Sequence, residues 1–359
     1  MTEGEGSFWR ARLDEGLVIP ACPLTLTADG SWSARHQRAV IRYYLASGAG
    51  GIAVGVHSTQ FEIRQPRHGL FEPILRLVTE EIDRHESKVG MESVVRIAGV
   101  CGPAEQAMRE AGLAADLGYH AGLLSLTAVG GDGEAAMIEH ARRVAKVIPI
   151  VGFYLQPAVG GRVLGFDFWR RFCDIPEVVA IKIAPFNRYQ TLDVVRAVDL
   201  SGRDDIALYT GNDDNIIADL LTPLDFGRGR RWIVGGLLGQ WGVWTRVAVE
   251  LLEEIRSVRR EYEATGRPIS LDWWTRNAQL TDANAAVFDA ANGFAGCIPG
   301  ILEVLRRQGL APSVRCLDQR EQLSHGQAEE LDRVSAAYPW LVDDPFVRQH
   351  RDEWLGEEA

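Results

Sequence analysis

The chain has 359 residues, 46% of them hydrophobic and 24% charged, with a formal net charge of -11. Such values suit a globular protein with a sizeable core, arranged as one large domain or two ordinary ones. The acidic balance disfavours nonspecific binding of nucleic acid.

Five widely spaced cysteines with no CxxC pair argue against a disulfide framework or a structural zinc site. The opening MTEGEGSFWRARLDEG is polar and acidic, unlike a secretory signal, and runs such as 148–155 are far shorter than a membrane span. The expectation is a cytoplasmic protein with no membrane partner.

From residue 17 onward, short apolar runs alternate with longer amphipathic segments. Residues 17–20 precede a helix-like 33–47, 51–55 precede 73–85, and 94–100 precede 103–117. The next pairs are 121–126 with 134–146, 148–154 with 166–173, and 178–183 with 191–198. Residues 206–210 with 216–220, and 232–236 with 243–258, complete eight units. Near-continuous apolar strands suit a parallel sheet covered on both faces. Eight such units over roughly 250 residues predict a (β/α)₈ TIM barrel rather than an open doubly wound sheet. Neither GxGxxG after the first strand nor GxxxxGK[ST] occurs, so the nucleotide-binding alternative lacks its fingerprint. Residues 1–15 are read as an N-terminal extension, 16–260 as the barrel, and 261–359 as a C-terminal helical region and tail.

Barrel enzymes gather their reactive groups at the C-terminal ends of the strands. Those ends carry His57, Ser58 and Thr59 after the second strand, Tyr154 on the fifth, and Lys182 on the sixth. Gly211, Asn212, Asp213 and Asp214 follow the seventh, and Val234 and Gly235 lie at the expected end of the eighth. The chain has only three lysines, Lys88, Lys146 and Lys182. The first and second sit in polar or helix-terminal surroundings. Lys182 sits in VVAIKIAPF, where burial disfavours the ammonium and leaves the neutral amine, the nucleophile of Schiff-base chemistry. Tyr154, on the neighbouring strand, is the expected proton shuttle.

The segments IKIAPFN and YLQP, the opening IPACPLT and the turn GNDD together resemble the dihydrodipicolinate synthase and N-acetylneuraminate lyase family of class I aldolases. The resemblance covers roughly residues 16–310 and places the family's imine-forming lysine at Lys182 and its catalytic tyrosine at Tyr154. It implies a pyruvate-like 2-oxo acid, an aldehyde partner, no metal or organic cofactor, and a homo-oligomer. Ser58, Thr59, Gly211, Asn212, Val234 and Gly235 are then expected to contact the substrate.

The family's G-T-T-G-E after strand two is replaced by Gly55-Val56-His57-Ser58-Thr59-Gln60. That puts His57 forward as a proton carrier or carboxylate donor. Val159 stands where the synthases carry the arginine that binds their second substrate, so another 2-oxo acid reaction is expected. His68 and Arg64 are further candidates for binding an acidic substrate. Two other readings are a metal-assisted hydrolase or isomerase using His57 with Asp213 and Asp214, and a catalytically silent barrel that binds or regulates.

Overall fold

Eight parallel strands close a barrel in the computed structural model, which describes residues 5–91 and 93–356. The first four residues of the expected extension and the last three of the tail lie outside the described residues. The strands are β1 (Val18–Pro20), β2 (Gly51–Val54), β3 (Val95–Val100) and β4 (Ala121–Leu124). They continue with β5 (Ile150–Leu155), β6 (Val178–Ala184), β7 (Ala207–Thr210) and β8 (Gly235–Leu238). Neighbours in sequence pair in parallel from β2 through β8, and β8 pairs back onto β1. The seam between β1 and β2 is narrow, with Gly50 N donating to Val18 O at 3.1 Å and Cys22 N to Ala53 O at 2.8 Å.

Alternation along each strand divides the apolar side chains into two cores. One lies inside the barrel and includes Val151, Phe153 and Ala180; the other lies between strands and helices and includes Ile150, Tyr154, Ile181 and Ile183. Helix α1 (Glu5–Glu15) adds Trp9 and Leu13 to the inner core. Four residues apart, they share one helix face. Leu13 O accepts from the Tyr209 hydroxyl at 2.8 Å, so α1 closes the N-terminal end of the barrel.

Outside the strands run α2 (Ala34–Ser47), α3 (Phe71–Val89), α4 (Ala104–Asp116) and α5 (Gly133–Ala145). They are followed by α6 (Phe166–Cys173), α7 (Arg188–Ser201), the short α8 (Ile216–Leu221) and α9 (Thr245–Thr265). Ser33 caps α2, its Oγ accepting from His36 N.

Beyond the barrel lie α10 (Asp272–Val287), α11 (Cys297–Arg307), α12 (Gln327–Ala337) and α13 (Asp344–Leu355). Helix α13 packs Phe346 and Trp354 on Tyr43 of α2, whose hydroxyl donates to Asp343 Oδ2 at 2.7 Å. The tail therefore covers a barrel helix. Among the described residues, no helix is long and apolar enough to cross a membrane.

The eighth strand begins three residues later than the apolar run predicts. Arg230 and Arg231 pair antiparallel with Leu224 and Asp225 in a small ribbon. Trp232 lies against Arg259 of α9 and donates from Nε1 to Glu263 at 2.8 Å. Residues 230–232 thus serve the outer surface, and the glycine pair opens β8 instead of ending it.

Candidate active site

Lys182 lies near the C-terminal end of β6, flanked by Ile181 and Ile183, both of which face the helices. Strict alternation turns its side chain into the barrel. It is 8% exposed and lines a cavity of about 70 Å³ at the C-terminal end of the strands. Across the ladder it pairs with Phe153, and its nitrogen lies 4.6 Å from the centre of that ring. Among the described residues no carboxylate lies within ion-pair distance of the amine. Burial pushes the Lys182 amine below its ordinary value, against the opposing pull of Asp213.

Asp213 reaches the same cavity from the turn after β7. Burial raises its carboxyl above the usual range, while the Lys182 charge and the bond from Gln240 N to Oδ1, 3.2 Å, work the other way. Both shifts run toward the uncharged forms and bring the two groups to titrate near neutrality, so a proton passes between them at small cost. The turn is anchored from behind, since Asn284 Nδ2 donates to Asp213 O at 2.6 Å.

His57 closes another side. Burial first, and then the Lys182 charge, lowers its imidazole to about 4, so at neutral pH it is uncharged. Ser58 also lines the cavity, with its hydroxyl donating to Ala21 O at 2.8 Å. The N–H groups of His57 and Ser58 begin a short 3₁₀ turn, and no acceptor is found for either among the described residues. Gly211 is required sterically. A Cβ there would stand 2.7 Å from Ala184 Cβ and 2.8 Å from Lys182 Cε.

Lys182, His57, Ser58 and Gly211 are thus brought together. Tyr154 is not, and this corrects its expected place in the cavity. It pairs with Ile183 on the outward face, packs on Trp169 of α6 at 5.3 Å, and its hydroxyl accepts from Leu164 N at 3.0 Å. One residue along a strand reverses the face. Phe153 holds the inward position instead.

Four expected substrate contacts are also corrected. Thr59 is fully buried and pins the loop, donating to Cys22 O at 2.6 Å and accepting from Gly55 N at 3.0 Å. Asn212 stands behind the cavity, accepting from Phe186 N at 3.0 Å and donating to Asp219 and Thr191. It props the turn after β6 without lining the site. Val234 and Gly235 lie at the N-terminal end, where a Cβ on Gly235 would strike Leu17 N at 2.5 Å. Gly239 is the residue of that strand and loop that reaches the cavity.

Arg64 is likewise occupied elsewhere, with Glu110 at 2.9 Å and the carbonyls of Gly55 and Gly99. His68 does not line the cavity. Val159 does, and brings an apolar wall.

Sequence reasoning missed Phe153, Phe294 and Cys297 as lining residues. Phe153 is one step from the tyrosine that drew attention, in a strand apolar on both faces. Phe294 and Cys297 arrive from the segment leading into α11, more than a hundred positions after Lys182, with no local signal. Among the described residues no three His, Cys, Asp or Glu side chains converge so as to hold a metal ion.

The architecture is a (β/α)₈ barrel with a helical C-terminal region, and comparison with known proteins agrees in fold. No family model and no curated protein matches the sequence. A prophage protein of the dihydrodipicolinic acid synthase family from E. coli K12, in complex with pyruvate, superposes with a TM-score of 0.69 at 18% identity. That match covers 90% of this chain and 98% of the other. Dihydrodipicolinate synthase from Cyanidioschyzon merolae with lysine bound gives 0.69 at 18% identity over 91% and 99%. N-acetylneuraminate lyase from Fusobacterium nucleatum gives 0.66 at 13% identity over 90% and 99%. The chain has the fold of this group; at such identities the likeness speaks for the fold alone.

Proposed function

We propose that this protein is a divergent Schiff-base-forming lyase or synthase of the class I aldolase type. Its substrate is pyruvate or another small 2-oxo acid, and Lys182 is the nucleophile. The observation that carries the reading is a buried amine facing a cavity with no carboxylate at ion-pair distance. A lysine held this way costs stability unless it is used. The cavity, about 70 Å³, holds on the order of five water-sized spheres, the scale of a compact 2-oxo acid.

The neutral amine adds to the keto carbon, giving a carbinolamine. The Asp213 carboxylic acid supplies the proton with which the hydroxyl leaves as water, and the imine forms. The Asp213 carboxylate left by that transfer takes a proton from the adjacent carbon, which gives an enamine. That carbon then bonds to an aldehyde carbon, whose oxygen takes up a proton; water hydrolyses the imine and frees Lys182. Cleavage runs the same steps backward. His57, uncharged at neutral pH, is placed to carry the proton to or from the aldehyde oxygen. The unpartnered N–H groups of His57 and Ser58 suit the substrate carboxylate, while the Ser58 hydroxyl, donating to Ala21 O, holds that turn in place.

Borohydride trapping during incubation with pyruvate and a panel of 2-oxo acids tests this reading. Mass analysis should place the reduced adduct on Lys182, and Lys182→Ala should form none. No adduct with any 2-oxo acid, or one on Lys88 or Lys146, would remove the proposal.

A further inference from the structure

A second cavity, about 500 Å³, opens directly above the first and shares His57, Val159, Phe294 and Cys297 with it. Anything that reaches Lys182 from this side passes through it. Its apolar walls are Phe61, Phe294 and Ile298, and its polar groups are mostly acidic: Glu62, Asp318 and Glu321. Arg320 is the one guanidinium lining it among the described residues. It is paired with Asp318 at 2.6 Å and its side chain is 90% exposed. Among the described residues neither Glu62 nor Glu321 forms an ion pair at contact distance, and the Arg320 charge reaches both only from farther off.

Gln60 gives an independent sign of a ligand here. It lines this vestibule, is 1% exposed, and has no hydrogen-bond partner at Nε2. Its Oε1 is committed, accepting from Leu317 N at 2.6 Å, so the amide cannot turn over to satisfy the nitrogen. Its backbone sits at φ 68, a left-handed conformation that costs a non-glycine residue on the order of 1 kcal/mol or more. The Glu321 carboxyl is partly buried as well, with the weak donor of the Cys316 thiol beside it. A buried donor left open in the vestibule calls for a polar guest.

We infer that the vestibule binds the second reactant, the aldehyde that joins or leaves the 2-oxo acid carbon, and selects an uncharged or cationic one over a carboxylate- or phosphate-bearing one. The inference rests on the Schiff-base reading for the identity of the guest, and on the vestibule alone for its charge. Gln60 Nε2 meets an acceptor on the guest, such as a hydroxyl oxygen. Glu62 and Glu321 meet a hydroxyl or ammonium donor and repel an anion. Burial and the neighbouring charges of Glu62 and Asp318 hold the Glu321 carboxyl above the usual range, which registers the same negative field.

Unreactive alcohols separate charge preference from catalysis. Calorimetry on the full chain with saturating pyruvate would compare benzyl alcohol with its meta-carboxylate and meta-trimethylammonium derivatives. The neutral and cationic probes should bind at least about tenfold more tightly than the anionic one. Raising the salt should shrink that ratio for the wild type. Glu62→Gln combined with Glu321→Gln should abolish it, with thermal unfolding confirming a folded variant and each single variant giving part of the effect. Equal or tighter binding of the carboxylate, no binding of any probe, or a ratio untouched in the folded double variant overturns the inference. Borohydride trapping is read separately, so a protein that traps pyruvate but shows no charge preference retains the imine reading and loses this one.

Discussion

Phe153 and Lys182 are direct partners across β5 and β6, and the ring, not a phenol, borders the amine at 4.6 Å. An aromatic face favours a cation by roughly 1–2 kcal/mol when desolvated, yet burial dominates here and moves the amine toward its neutral form. On the proposed imine reading, Lys182 is a nucleophile prepared by its surroundings. On the same reading proton transfer would fall to Asp213 and His57, which line the cavity with it.

Replacing that nucleophile should separate activity from stability. Lys182→Met keeps the stem and removes the amine, so turnover with any 2-oxo acid should fall by at least about a thousandfold. Thermal unfolding should show equal or greater stability, by about 1 kcal/mol, because a buried polar group is gone. A marked loss of stability would mean that Lys182 has a structural role.

The outward tyrosine makes a contrasting case. Tyr154→Phe should change the rate of adduct formation less than about twofold. It should cost about 1 kcal/mol in denaturant unfolding, because Leu164 N loses its acceptor. A large fall in rate would return the phenol to the chemistry.

Two coupled groups should shape the pH profile of imine formation. Asp213 titrates at about 7 and Lys182 at about 8, so the amine paired with a carboxylic acid is a minor form and the rate should peak between those values. In Asp213→Asn the negative charge that favours the ammonium is removed. The descending limb should vanish, leaving a single rise that follows the amine, and the maximal rate should drop by about a hundredfold. A profile unchanged in shape would separate Asp213 from the reaction.

His57 should also mark stability. Its folded value of about 4 lies below the ordinary 6.5, so the unfolded chain binds the proton first as pH falls. The contribution is present above the ordinary histidine value and is lost as pH falls through about 4. It amounts to about 2–3 kcal/mol, and His57→Gln should flatten that part of the curve. Unfolding midpoints between neutral pH and that lower value check it. An equal slope in both proteins would refute it.

Gly211→Ala should act through sterics alone. The added methyl meets the Lys182 stem and Ala184, so the amine must shift. About 1–3 kcal/mol of stability should be lost, and imine formation should slow by about tenfold or more, read by trapping rate. A normal rate would show that the lysine can be displaced without consequence.

The repeating apolar runs were enough to predict a parallel barrel, since only a sheet covered on both faces tolerates so many of them. Lys182 was legible for the same reason: one charge among apolar neighbours at a strand end stands out. The same uniformity hid the direction of each side chain. In Ile150–Leu155, apolar on both faces, nothing local says whether Phe153 or Tyr154 points inward. Pairing with β6 decides it, and the tyrosine turns to the helices. The start of β8 was likewise set by the ribbon at Arg230 and Arg231. Asp213, Cys297 and the Gln60 vestibule depend on chain closure over long separations. Local composition identifies which groups are costly to bury; only the folded chain determines which of them meet.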